Sequence, residues 1–147
     1  KGMGSGFPIG ACLATEKASI GMVKGTHGST FGGNPLAVSV GKAVLSEITS
    51  KFFLKNVDFI GRYLWRELKK LESEFNELVE VRGAGLLLGL KTRINNLTFN
   101  ELLIKEGLLT VIASDNIVRL APPLIVSKEN VNEAINIIRK VLKDLDG

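Results

Sequence analysis

The chain has 147 residues, 45% of them hydrophobic and 23% charged, a globular composition that excludes a low-complexity tail, a collagen repeat or a disulfide scaffold. Nineteen basic residues against fifteen acidic ones leave a net charge of +4, but they are scattered and form no block, which argues against a nucleic-acid partner. The lone cysteine, Cys12, cannot close an intrachain bridge, and no apolar run nears the ~18 residues that span a bilayer, so a cytoplasmic location without a membrane partner is expected.

In chain order, Lys1-Gly2-Met3-Gly4-Ser5-Gly6 carries no initiator Met and no element ahead of its glycines, so a fragment of a longer protein is expected. Ten of the sixteen glycines fall between residues 2 and 41. Phe7 to Thr15 is a short apolar run that fits a buried strand, with Pro8 confining it to a strand start or an edge. Asn34-Pro35 is a helix start, because an Asn side chain caps free amides and proline loses nothing at the first helical position. From Ser50 to Phe75 the residues Phe53, Val57, Ile60, Leu64, Leu68, Leu71 and Phe75 recur every three or four positions, the spacing of one long amphipathic helix.

Leu78 to Arg82 and Leu86 to Lys91 read as strands joined through Gly83-Ala84-Gly85 in a hairpin. A short helix over Thr98 to Glu106 should stop at Gly107. Leu108 to Ala113 and Ile117 to Leu120 make a second strand pair around Ser114-Asp115-Asn116. Ser127 caps a last helix with the apolar stripe Val131, Ala134, Ile135, Ile138, Val141 and Leu142. The expected architecture is a small α+β unit over residues 47–147, its helices on one face of a mostly antiparallel sheet. Residues 1–46 lack the apolar periodicity to build a core of their own.

Three segments could carry chemistry. The glycines after Lys1 suggest phosphate binding, yet no strand precedes them and the spacing fits neither GxGxxG nor GxxxxGK[ST], so a flexible loop is the plainer reading. Gly25-Thr26-His27-Gly28-Ser29-Thr30-Phe31-Gly32-Gly33-Asn34 leads into a helix N-terminus, where free amides, the helix dipole and the Ser29 or Thr30 hydroxyl suit an anion; an ordinary capped loop is the alternative. Arg119, before Pro122-Pro123, has a rigid mount for meeting a carboxylate in fixed orientation, or else is a surface arginine with a packed stem. Arg82-Gly83-Ala84-Gly85 mimics a dinucleotide fingerprint, but a strand follows where that fingerprint needs a helix.

Taken together, KGMGSGFPIGA, HGSTFGGNPLA, VRGAGLLLGL and VRLAPPLIV resemble the C-terminal part of a class III (ornithine aminotransferase-like) pyridoxal-phosphate aminotransferase. The resemblance covers essentially the whole chain, and HGSTFGGNPLA is its most specific stretch. It implies an α/β, fold type I pyridoxal 5′-phosphate transferase, with residues 1–46 as the last piece of the large cofactor-binding domain and residues 47–147 as the small α+β domain. By the same resemblance Lys1 is the lysine that carries the cofactor and shuttles the proton. Ser29 and Thr30 bind the cofactor phosphate, Thr30 reaching across to the partner subunit's site in a homodimer with shared active sites. Arg119 matches the arginine that pairs with a glutamate or holds a substrate carboxylate. No metal is implied.

The implied substrates are small amino acids and 2-oxo acids. The pattern sits nearest members that exchange an amino group between N-acetylornithine and 2-oxoglutarate in arginine biosynthesis, with ornithine, 4-aminobutyrate or succinylated donors as alternatives. The family's phosphate-binding glycine loop, ring-stacking aromatic, ring-nitrogen aspartate and carboxylate arginine precede the lysine and have no counterpart here. This chain alone is therefore expected to be inactive. The rival from another class is a non-catalytic α+β binding or regulatory module with a glycine-rich tail.

Overall fold

The structure, a computed structural model, describes residues 2–146. It divides into two compact units, Lys1–Leu54 and Lys55–Gly147.

In the first unit the expected strand over Phe7–Thr15 is absent: residues 8–15 run without a ladder. A strand exists only where its N–H and C=O groups find a neighbouring strand, and none of the described residues supplies one. The segment begins from a tight turn in which the Phe7 N–H donates to the Gly4 carbonyl (2.9 Å). Helix α1, Pro35–Ile48, starts where the local chemistry dictates: the Asn34 side chain accepts from the Ala37 N–H at 2.9 Å, and proline takes a position whose N–H would have no helical partner. The buried face of α1 is Ala37 and Gly41, and a methyl group added at Gly41 would lie 3.3 Å from Ile9 Cδ1. Small residues thus let the preceding chain lie close against the helix.

The second unit contains most of α2 (Lys51–Glu74), then β1 (Leu78–Ala84), β2 (Leu87–Thr92), α3 (Asn96–Lys105), β3 (Val111–Ala113), β4 (Ile117–Leu120) and α4 (Lys128–Asp146). The helix expected over 50–75 and the two hairpins are present, with β3 shorter than the apolar run predicts. Every strand pairing is antiparallel, in the order β1-β2-β4-β3. Strand alternation sends Leu88, Leu90, Val118 and Leu120 to one face, where they join Leu64, Leu68, Leu71, Phe99, Leu103, Ile138 and Leu142 in a single core. Alternate residues emerge on the other face, where Arg82, Gly89, Arg119 and Val111 stand in one cross-strand row.

Three devices hold the layers in place. Glu72 on α2 accepts from the outward N–H of Val81 at 2.6 Å, satisfying edge strand β1 beside its bulge. The Tyr63 hydroxyl donates to Asn132 Oδ1 (2.5 Å), linking α2 to α4. Ser127 and Asn130 cap α4 reciprocally, each backbone N–H donating to the other's side chain (3.1 and 3.2 Å).

The β1–β2 turn depends on glycine. Gly83 has φ 129°, and a methyl group there would lie 2.2 Å from the Leu87 carbonyl oxygen; Gly85 has φ 57° with open space around it. Gly83→Ala is expected to destabilise by about 2–4 kcal/mol and Gly85→Ala by about 1 kcal/mol, measured by urea unfolding. Equal losses at both sites would contradict this geometry.

Candidate functional site

Lys1, the first of the expected site residues, lies outside the described residues. The next two, Ser29 and Thr30, share an exposed loop ahead of α1. The loop is shaped by its own turns: the Gly32 N–H donates to the Ser29 carbonyl and the Asn34 N–H to the Phe31 carbonyl (both 3.3 Å), while Asn34 Nδ2 donates to the same Phe31 carbonyl at 2.8 Å. Gly32 has no side chain where the Ser29 Oγ sits, 2.9 Å from the position a Cβ would take. Neither hydroxyl bonds to another described residue, so both are free as donors. Two unengaged hydroxyls beside the positive end of a 14-residue helix are a donor set that fits a phosphate group.

Arg119 belongs to the second unit. It sits on β4 opposite Gly89 of β2 and Val111 of β3, with its neighbours Val118 and Leu120 buried in the core. The other arginines are engaged: Arg62 with Asp58, Arg66 with Glu67, Arg82 with Asp115, Arg139 with Glu74, and Arg93 with the Asn76 carbonyl. Among the arginines of the described residues, Arg119 alone makes no bond to a carboxylate or carbonyl within this chain. It borders a cavity of about 660 Å³ whose wall includes Leu109, Thr110, Val111, Pro122 and Asn130. A free guanidinium on a strand followed by two prolines can make two parallel hydrogen bonds to a carboxylate without rearranging its backbone.

A second group on the open face of the sheet escaped the sequence reading. Asp115 accepts from Arg82 (2.8 Å) and Lys91 (3.1 Å), occupying both cations. Those bonds, Lys91's first and Arg82's second, hold the Asp115 carboxyl below its ordinary value. Asp115 and Asn116 both have positive φ, 62° and 56°. The Ser-Asp-Asn composition pointed to the turn, but the partners lie 24 and 33 residues away and no local pattern names them. Arg82-Gly83-Ala84-Gly85 enters β2, which removes the dinucleotide reading.

The chain belongs to the class-III aminotransferases, whose family pattern it matches over residues 1–142. These are pyridoxal-phosphate enzymes of fold type I. Among its relatives, acetylornithine aminotransferase of Mesorhizobium japonicum is 47% identical over 146 residues, covering 99% of this chain and 37% of that protein. The solved N-acetylornithine aminotransferase of Stenotrophomonas maltophilia superposes with a TM-score of 0.82 at 30% identity, covering 98% of this chain and 38% of that one. Ornithine δ-aminotransferase of Plasmodium falciparum gives the same TM-score at 33% identity, covering 91% and 36%. The chain thus spans little more than a third of the length of these relatives.

The Asp115 pairing has a pH signature. A carboxyl whose folded-state pKa is depressed contributes stability above its unfolded pKa and loses it as pH falls through the folded value. An NMR titration of Asp115 is expected to give a midpoint below 3.8, and Asp115→Asn should remove its share of the acid dependence of unfolding. A midpoint at or above 3.8 would contradict the pairing.

Proposed function

We propose that the protein to which this chain belongs transfers an amino group between N-acetylornithine and 2-oxoglutarate, serving arginine biosynthesis in the cytoplasm as a homodimer. The observation that carries this reading is Arg119: a guanidinium mounted on β4 ahead of Pro122-Pro123 and bordering a cavity suits recognition of a dicarboxylate such as glutamate or 2-oxoglutarate. Kinship with acetylornithine aminotransferases supports the choice of donor. In this reading residues 1–46 close the cofactor-binding domain and residues 47–147 form the small domain.

Each residue then has a task. Lys1 would hold the cofactor through its side-chain amine and would take up the proton released at the substrate α-carbon. Its amine would act as a nucleophile only in the neutral form. Ser29 and Thr30 grip the phosphate, Thr30 from across the dimer, so that each site draws on both subunits. Bound pyridoxal phosphate supplies the electron sink for the pair left on the α-carbon. Arg119 fixes the dicarboxylate. Amino donor and 2-oxo acid take turns at one site, hence ping-pong kinetics.

The full-length enzyme tests this. Lys1→Ala should lower turnover at least about 10³-fold, and Arg119→Ala should raise the half-saturating 2-oxoglutarate concentration about 10- to 100-fold. Retained turnover in the lysine variant would overturn the mechanism. Ornithine is the second reading for the donor, favoured by the equal fold similarity to an ornithine δ-aminotransferase. Higher kcat/KM with ornithine than with N-acetylornithine would decide for it.

A further inference from the structure

β3 is a three-residue edge strand, and its Val111 and Ile112 are half exposed. So little burial gives it a weak hold on the core. β4 is anchored by its ladder to β2 and by the buried Ile117, Val118 and Leu120, while the turn that joins it to β3 is held by amide hydrogen bonds to the far end of β2 and the start of α3. Asn116 Nδ2 donates to the carbonyls of Thr92 (2.7 Å) and Ile94 (2.8 Å), and its Oδ1 accepts from the Asn96 N–H (2.8 Å). Asn96 Nδ2 returns across the hairpin to the carbonyls of Ala113 (2.8 Å) and Ile117 (3.2 Å). At the other end of β3 the Thr110 hydroxyl donates to the buried Asn100 (2.7 Å).

Asn116 combines these bonds with a left-handed backbone, φ 56°, a conformation that asparagine adopts more readily than other side-chain-bearing residues. It immediately precedes β4, three residues before Arg119. Together with the β2 ladder and the buried Val118 and Leu120, a fixed Asn116 holds the register that sets Arg119 against Gly89 and Val118 against Leu90. One step of slippage would exchange the two faces of β4.

We propose that Asn116, with Asn96 as its counterpart, is a positioning residue that sets the guanidinium of Arg119 for the dicarboxylate substrate. The inference rests on the reading of Arg119 given above. It deepens that reading by assigning the clamp's precision to a polar knot outside the cavity wall.

The test uses the full-length enzyme in separate half-reactions, one with 2-oxoglutarate and one with N-acetylornithine. Asn116→Gly keeps the left-handed turn and removes the amide. It should raise half-saturation by 2-oxoglutarate about tenfold while leaving the limiting rate and the N-acetylornithine half-reaction within about twofold. Asn96→Ala, at the first position of α3, should give the same split at smaller size and carries the test if the glycine variant does not fold. A merely structural role would lower both half-reactions together, and that result, or an unchanged half-saturation, overturns the proposal. Arg119→Ala is run alongside. If it shifts 2-oxoglutarate and the Asn116 variant does not, this inference alone fails; if it shifts nothing, the reading of Arg119 fails and takes this one with it.

Discussion

A strand of four residues can present a charge to one side only if its other side is anchored. In β4, Ile117-Val118-Arg119-Leu120, the anchors are Val118 and Leu120, both in the core. Period-two geometry then leaves Arg119 no choice of face. Leu88 and Leu90 on β2 repeat the anchoring across the ladder, and α2, α3 and α4 cover the face they share. The arginine's availability is therefore a consequence of packing behind it.

Charge bookkeeping on the open face reinforces this. Arg82 and Lys91 are drawn to Asp115, and Glu80 lies 3.8 Å from Arg82. Such exposed pairs add little to stability. What they do is occupy two of the cations on that face, while Arg119, which borders the cavity, makes no such pair within this chain. Polar groups within the unit are equally committed: among the described residues no buried side-chain nitrogen or oxygen lacks a hydrogen-bond partner. The β3 arm of the second hairpin, which buries little, keeps its place under that condition.

Local chemistry was legible in the sequence. Asn34-Pro35 announces α1 because both the cap and the proline act within one turn. The long stripe from Phe53 to Phe75 announces α2 because a helix repeats its own pattern. The two hairpins follow from turn residues between apolar runs. Phe7–Thr15 misled for the complementary reason: its apolar content suits a strand, but a strand is a relation to a neighbour and the run carries no information about one. The Asp115 and Asn116 contacts were invisible for the same cause, since their partners come from β1, β2 and α3. Arg119 could be singled out beforehand by its prolines, but its lack of an internal partner emerges only when every other arginine's partner is known.

Arg119 is proposed as the dicarboxylate clamp of a class-III aminotransferase. A crystal structure of the full-length enzyme with 2-oxoglutarate bound tests it most directly. The claim requires the Arg119 guanidinium within roughly 2.7–2.9 Å of a ligand carboxylate oxygen. A guanidinium turned away from both carboxylates of the bound ligand would contradict it.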